Sequence, residues 1–135
     1  MIYQKIGKEM LKKNYDILGI GNAVTDILVE VDYSYLKNNK LEEGSMKLVD
    51  ESTINDLLLD LNASKTLAGG SVANTLDTIA NLGGKCAFIG NRKKDKFGKL
   101  FSKSMLDNNI YLSNQESESG KSSSLCLVLI TPNGE

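Results

Sequence analysis

Two polar segments, each placed directly after a predicted strand, carry side chains suited to binding a hydroxylated ligand. In the first segment, Asn22 and Asp26 follow the apolar run 15–21. An ionised carboxylate accepts hydrogen bonds from two neighbouring hydroxyls, and an amide both donates and accepts. Both residue types are also common in turns, where they bond to local backbone. This segment alone therefore leaves a ligand site and a simple turn equally open.

The second polar segment consists of Gly69, Gly70 and Ser71, followed by Asn74. Paired glycines before a helix let a ligand approach backbone N–H groups closely, and the start of a helix adds positive potential. We expect Ser71 to cap this helix and Asn74, in its first turn, to face the same ligand. A tight structural turn is the alternative explanation for the glycine pair. Taken together, the two segments predict ligand-facing groups at strand ends.

The composition excludes several classes of chemistry. The 135 residues include no His and 2 Cys, so Ser-His-Asp and Cys-His catalysis, His-bound metals and a four-Cys zinc site are all excluded. A net charge of -1 gives no general attraction to nucleic acid or to an anionic membrane, and no apolar run reaches the roughly 20 residues that span a bilayer. We expect Cys86 and Cys126 to be buried, reduced thiols of a cytoplasmic protein.

Three further patterns give weaker signals. The segment 19–21 would need a third glycine at Val24 to match a dinucleotide-binding fingerprint. The segment 120–122 ends like a phosphate-binding P-loop, but Gln115 stands where the upstream glycine is required. The basic cluster 92–103 can meet phosphates, although a solvated helix face is the favoured interpretation.

The alternation of apolar and amphipathic segments predicts an α/β protein with a mainly parallel sheet. A surplus of short strands indicates a second, small sheet beside it, and residues 114–123 are expected to form a loop. Asp50 is the expected N-cap of the second helix. We predict strands over 15–21 (buried), 27–31, 44–49, 66–67, 85–90, 110–112 and 124–131, and helices over 33–41, 50–61, 71–82 and 96–108.

In this order and spacing, the motifs resemble the ribokinase/PfkB family of sugar and nucleoside kinases. The segments that carry the resemblance are 15–22 with Asp26, 69–75, 82–90, Asp95-x-x-Gly98 and 127–135. The three residues between Asn22 and Asp26 are more similar to adenosine kinase-like members. The resemblance begins near residue 14, which leaves residues 1–13 as an N-terminal extension, helical or loosely extended.

The resemblance implies a fold, cofactors and site residues. The fold would be a Rossmann-like, three-layer α/β/α core with a small β-sheet lid, its strands near 27–49 and 110–131. The activity would be ATP- and Mg²⁺-dependent phosphorylation of a primary hydroxyl of a sugar or nucleoside. A homodimer through the lid would also be possible. By motif position, the substrate-binding residues would be Asn22, Asp26, Gly69, Gly70, Ser71 and Asn74.

The resemblance covers only the first part of a family member. The family's glycine-rich Asp segment, which supplies the anion hole and the catalytic base, does not occur in residues 1–135. The resemblance places the family's Asn-x-x-Glu segment in the same later half of a family member. We therefore expect an N-terminal, substrate-binding portion with no catalytic residue, an exposed sheet edge and little or no kinase activity alone. The alternative is a catalytically inactive sugar-binding or dimerisation module.

Overall fold

A computed structural model describes residues 15–135 of the chain; the predicted extension at 1–13 lies outside the described residues. Helices and strands alternate along most of this length. The strands are β1 (Ile17–Ile20), β2 (Val24–Glu30), β3 (Lys65–Gly69), β4 (Cys86–Ile89), β5 (Tyr111–Leu112) and β6 (Ser124–Ile130). The helices are α1 (Tyr33–Asn38), α2 (Glu51–Leu59), α3 (Ser71–Asn81) and α4 (Lys96–Asp107).

The strands form two three-stranded sheets. The first has the order β1-β4-β5 and is parallel throughout, and the second has the order β3-β2-β6. This confirms the predicted α/β class with a parallel sheet and a second, small sheet. The chain divides into two compact units: unit 1 comprises described residues 15–25 and 67–125, and unit 2 comprises 26–66 and 126–135.

Two strand predictions are wrong. Residues 110–112 were expected in the second sheet, but β5 pairs with β4 in the first, because the buried Ile110 returns the chain to the core directly after α4. Residues 44–49 form no strand. Gly44 has a positive φ of 68°, and Met46 and Leu48 are each 98% exposed, so this segment has no sheet or core to pack against.

The core of unit 1 lies between its parallel sheet and the helices α3 and α4. Leu76 of α3 and Phe101 and Met105 of α4 lie on the inner faces of their helices and are buried. Phe101 packs against Phe88 of β4, with ring centroids 5.2 Å apart. The prediction that β1 is buried is wrong: Ile20 is 70% exposed, since β1 is an edge strand.

Unit 2 contains α1, α2 and most of β2 and β6. Ile27 and Val29 alternate along β2 and are buried on one face. Asp50 caps α2 as predicted, its carboxylate accepting from the N–H of Thr53 at 2.8 Å. None of the α2 residues is buried. Across residues 15–135, no helix is long and apolar enough to cross a membrane.

Candidate functional site

Asn22 and Gly70 lie together where β1 has ended and α3 begins. Gly70 has a φ of 90°, which side-chain-bearing residues rarely adopt. A Cβ at Gly70 would also lie 3.2 Å from the carbonyl oxygen of Asn22. The backbone of Gly70 therefore lies close to the backbone of Asn22, in the other predicted segment; the approach of a ligand to this glycine pair stays a prediction.

Gly19 of β1 and Gly21, just after its end, let α3 lie close against this strand. A Cβ at Gly19 would lie 2.6 Å from Cγ1 of Val72, and a Cβ at Gly21 would lie 2.9 Å from Val72 Cβ. Only glycine permits this separation of strand and helix without displacing Val72. The Gly-x-Gly pattern thus has a packing role, which fixes the start of α3 beside the end of β1.

The remaining predicted residues of unit 1 lie on or next to the first turn of α3. Gly69 is buried at the end of β3. Ser71 and Asn74 are exposed, and within residues 15–135 neither side chain has a hydrogen-bond partner. The prediction that Ser71 caps α3 is wrong, because the N-cap is Gly70, which has no side chain to accept a bond. Two polar side chains are consequently open for contact with a ligand.

Asp26 belongs to unit 2, on the half-buried face of β2. Its carboxylate accepts no hydrogen bond from the described part of the chain, and burial raises its pKa. Burial raises the pKa of the Cys126 thiol, and the negative charge of Asp26 raises it further. Cys86 is buried as predicted, but the prediction of burial is wrong for Cys126, which faces solvent from β6. Asp26 is a partly desolvated carboxylate with unused acceptor capacity.

Asn22 also lines a cavity of about 380 Å³ in unit 1, a volume within the range of small-molecule sites. The lining also includes residues 117 and 119–124, five of which are serines. Arg92, Lys93 and Lys121 contribute positive charge, and no carboxylate lines the cavity. Residues with hydroxyl and cationic donors therefore line the same cavity as Asn22.

Arg92 is 6% exposed and joins three segments around this cavity. Its Nε donates to Ser102 Oγ of α4 at 2.6 Å, and its Nη2 donates to the carbonyl of Asn114 at 2.9 Å. The Asn114 amide in turn donates to the carbonyl of Gly90 at 2.8 Å. Burial lowers the pKa of Arg92 and the charge of Glu116 opposes that shift, while the guanidinium stays protonated.

Asp95 and Gly98 connect the cavity wall to the start of α4. The Asp95 carboxylate accepts from the N–H of Gly98 and from the N–H of Ser123, each at 2.8 Å. A Cβ at Gly98 would lie 1.9 Å from the carbonyl oxygen of Lys93, so no larger residue fits. Burial alone would raise the pKa of Asp95, but these hydrogen bonds outweigh it and the pKa lies below its ordinary value.

Sequence reasoning missed Asn114 because it assigned residues 114–123 to a loop, and it missed Arg92 because it treated residues 92–103 as one solvated face. That interpretation holds for Lys94 and Lys103, which make exposed ion pairs with Glu118 and Asp107. It fails for Arg92, the only Arg of the chain. A single Arg immediately after a buried strand was the signal that could have separated it from the lysines.

No metal centre forms in the described part of the chain. Among residues 15–135 there is no group of three or more His, Cys, Asp or Glu side chains that could hold a metal ion. The residues brought together are donors and acceptors for a polar ligand. They include no base aligned on a nucleophile.

A parallel sheet with helices packed on it, a second three-stranded sheet and glycine-rich strand ends define the chain as an α/β protein. The profile of the family described as pfkB family carbohydrate kinase matches residues 37–135. The chain belongs to this family. The matched range includes residues 69–74 and 95–98, and Asn22 and Asp26 precede it.

Individual relatives agree with this assignment. A protein named probable fructokinase-6, chloroplastic, from Arabidopsis thaliana is 37% identical over 78 residues, which is 58% of this chain and 20% of the relative. The chain thus spans one fifth of the length of that curated relative.

Solved structures of adenosine and sugar kinases superpose on most of this chain. Adenosine kinase from Sinorhizobium meliloti superposes with a TM-score of 0.77 at 28% identity, covering 91% of this chain and 38% of that one. A probable sugar kinase from Rhizobium etli CFN 42 gives 0.76 at 27% identity, covering 90% and 37%. Adenosine kinase from Schistosoma mansoni in complex with adenosine gives 0.67 at 25% identity, covering 84% and 34%. The ribokinase-like fold is confirmed over the part of those kinases that this chain spans.

Proposed function

We propose that this chain is the substrate-binding portion of an ATP-dependent kinase that phosphorylates a primary hydroxyl of a sugar or nucleoside, of the adenosine or ribose type. The observation that carries the proposal is the contact between Asn22 and Gly70 at the start of α3, with an open cavity beside Asn22. Membership in the pfkB family of carbohydrate kinases and the likeness to adenosine kinases support it.

Each of the proposed residues would make a different contact with a bound ribose. The Asp26 carboxylate accepts hydrogen bonds from two neighbouring ring hydroxyls, because it has no partner of its own in the described chain. Asn22 and Asn74 donate and accept at other polar atoms. Gly69 and Gly70 leave room for the ligand at the backbone, and Ser71 offers an exposed hydroxyl at the start of α3. These contacts bind and orient the substrate.

The proposal assigns no catalytic residue to this chain. Phosphoryl transfer depends on positioning and on stabilising the charge of the transferred group, and in kinases ATP with Mg²⁺ supplies that group. Residues 15–135 offer no cluster of carboxylates for the metal. We therefore place the Mg²⁺ and most ATP contacts in sequence outside this chain and derive no step through them.

Isothermal titration calorimetry of the chain with adenosine and with ribose tests the binding proposal. We expect a 1:1 complex that Asp26→Ala weakens by about 10- to 100-fold, the effect of losing hydrogen bonds to a charged group. Asp107→Ala, on the exposed end of α4, is the control and should leave affinity unchanged. Equal affinity of Asp26→Ala and the parent would remove Asp26 from the site.

The alternative function is a sugar-binding or dimerisation module without kinase activity, favoured by the 38% coverage of the solved adenosine kinase. Incubation of the chain with ATP, Mg²⁺ and a panel of ribosides tests whether it has catalytic groups of its own. We expect no phosphorylated product from the chain alone; product above background would show that it carries its own catalytic groups.

Light scattering tests the proposed homodimer through the lid. The proposed partners are otherwise a small-molecule substrate, without nucleic acid or membrane, in the cytoplasm.

A further inference from the structure

The cavity of unit 1 that includes Asn22 is lined by charges of one sign. Arg92, Lys93 and Lys121 line it, and no Asp or Glu does. Among residues 15–135, none of these three cations forms an ion pair. The chain as a whole carries a net charge of -1, so the positive charge is a local feature of this cavity. A cleft lined by one sign of charge concentrates counter-ions, here anions.

The carboxylates of the neighbouring segments are engaged with other groups. Glu118 is ion-paired on the exposed surface, and Asp95 accepts from two backbone N–H groups. The Glu116 carboxylate accepts from the hydroxyl of Ser102, and its charge favours the protonated form of Arg92. The cations of the cavity therefore face no carboxylate that lines it.

Arg92 is fixed in orientation and keeps unused donors. Its bonds to Ser102 and Asn114 use the Nε–H, one N–H of Nη1 and one N–H of Nη2. A guanidinium has five N–H groups, so these three bonds leave two. Arg92 is 6% exposed, and the burial of a cation among neutral partners costs free energy that a bound anion offsets.

The serine-rich segment 117–124 supplies neutral donors to the same lining. The backbone holds this segment near both ends, because Ser117 N donates to Arg92 O and Ser123 N donates to the Asp95 carboxylate, each at 2.8 Å. Three of its hydroxyls line the cavity and have no hydrogen-bond partner among residues 15–135: those of Ser119, Ser122 and Ser124. The lining thus combines a guanidinium, two ammonium groups and three free hydroxyls.

This donor set fits the oxygens of a phosphate group, which takes several charge-assisted hydrogen bonds at once. A phosphate group carries about −1.5 to −2 charges near neutral pH and matches three cations better than a singly charged carboxylate does. We propose that the cavity binds a phosphate group, either as the free ion or as the phosphate monoester of a sugar. Its volume of about 380 Å³ leaves room for a sugar next to Asn22. This site goes beyond the proposed function, because phosphate binding here requires neither Asp26 nor ATP.

NMR titration of the purified, ¹⁵N-labelled chain with inorganic phosphate and with ribose 5-phosphate, at constant ionic strength, tests the site. We expect saturable shifts of the backbone signals of residues 119–124 with both compounds. Equal affinity for the two would make the free ion sufficient, whereas tighter binding of ribose 5-phosphate would make the sugar part of the ligand. No saturable shift in this segment with either compound would overturn the inference.

Two lysine variants separate a site from general attraction to positive charge. Lys121→Gln and Lys99→Gln each remove one charge from an exposed side chain, and Lys99 lies on α4 and does not line the cavity. We expect Lys121→Gln to weaken phosphate binding by about tenfold, as for the loss of a charge-assisted hydrogen bond, and Lys99→Gln to leave it unchanged. Equal phosphate affinities of the two variants would contradict a built site.

Arg92→Met tests the guanidinium in the same titration, and we expect it to abolish the saturable shifts. Circular dichroism shows whether this variant folds; if it does not, the comparison of Lys121→Gln with Lys99→Gln still decides the question. Adenosine titrations of the same samples separate the two proposals. Failure to bind adenosine with phosphate binding intact would count against the proposed function alone, and the reverse result would count against the phosphate site alone.

Discussion

At the scale of single residues, two carboxylates carry opposite pKa shifts and opposite consequences for stability. Asp95 has a lowered pKa because hydrogen bonds from Gly98 and Ser123 outweigh its burial. Asp26 has a raised pKa because burial acts on a group with no hydrogen-bond partner in the described chain. A satisfied carboxylate stabilises the fold, whereas an unsatisfied one is retained at a cost that ligand binding can offset.

Replacing Asp95 should destabilise the chain in a pH-dependent way. Asp95→Ala removes a helix cap and leaves the N–H of Ser123 unpaired, which together cost about 1–3 kcal/mol of unfolding free energy. Because the folded pKa is lowered, this stabilisation is complete above the unfolded value near 3.8 and is lost as pH falls towards the folded pKa. Urea titrations from pH 7 to pH 3 measure it, with Asp107→Ala as the control. If the unfolding free energies of the parent and of Asp95→Asn changed in parallel with pH, Asp95 would not be the group that causes the loss of stability.

Replacing Asp26 should have the reverse effect on stability. A raised folded pKa means that ionised Asp26 opposes folding above that pKa and that the penalty is relieved as pH falls through it. Asp26→Asn should therefore unfold at a higher urea concentration than the parent at pH 7, while binding adenosine more weakly. A loss of stability at pH 7 would indicate that Asp26 has a structural role instead of a ligand-binding one.

At the scale of elements, the sequence predicts most of the fold and less of the site. Helix and strand types follow from apolar periodicity, and the boundaries of α4 are correct within one residue. The exposure of β1 could not be predicted from the sequence, because an apolar strand is buried only if neighbouring elements cover it. The burial of Arg92 could not be predicted either, because Ser102 and Asn114, which bond its guanidinium, come close to it only in the folded chain.

The start of α3 should be sensitive to any side chain at Gly70. Gly70→Ala combines a backbone conformation reserved for glycine with a Cβ only 3.2 Å from Asn22 O, and we expect a loss of about 1–3 kcal/mol. Gly83→Ala is the matched control, since Gly83 has a φ of 92° but no atom within 4 Å of the added Cβ. Urea unfolding of both variants isolates the contact with Asn22. Equal losses would show that backbone strain alone accounts for Gly70.

At the scale of the whole chain, buried apolar side chains are unequally shared between the two units. Unit 1 contains Leu76, Phe88, Phe101, Met105 and Ile110, all at most 2% exposed. In unit 2 the buried apolar side chains of the described residues are fewer: Ile27, Val29 and Leu36. Local stability should follow this distribution, because opening a segment with little buried apolar surface requires little free energy.

Native-state hydrogen exchange should consequently show two levels of protection. We expect the amides of β4 to exchange most slowly, and those of α2 to exchange at least about 100-fold faster, since none of the α2 residues is buried. Saturating adenosine should slow exchange along β2, where Asp26 lies, because a ligand that binds only the folded form stabilises it. The α4 amides of unit 1 provide the internal reference. Protection of α2 equal to that of β4 would mean that the helix has a stabilising partner beyond its own unit.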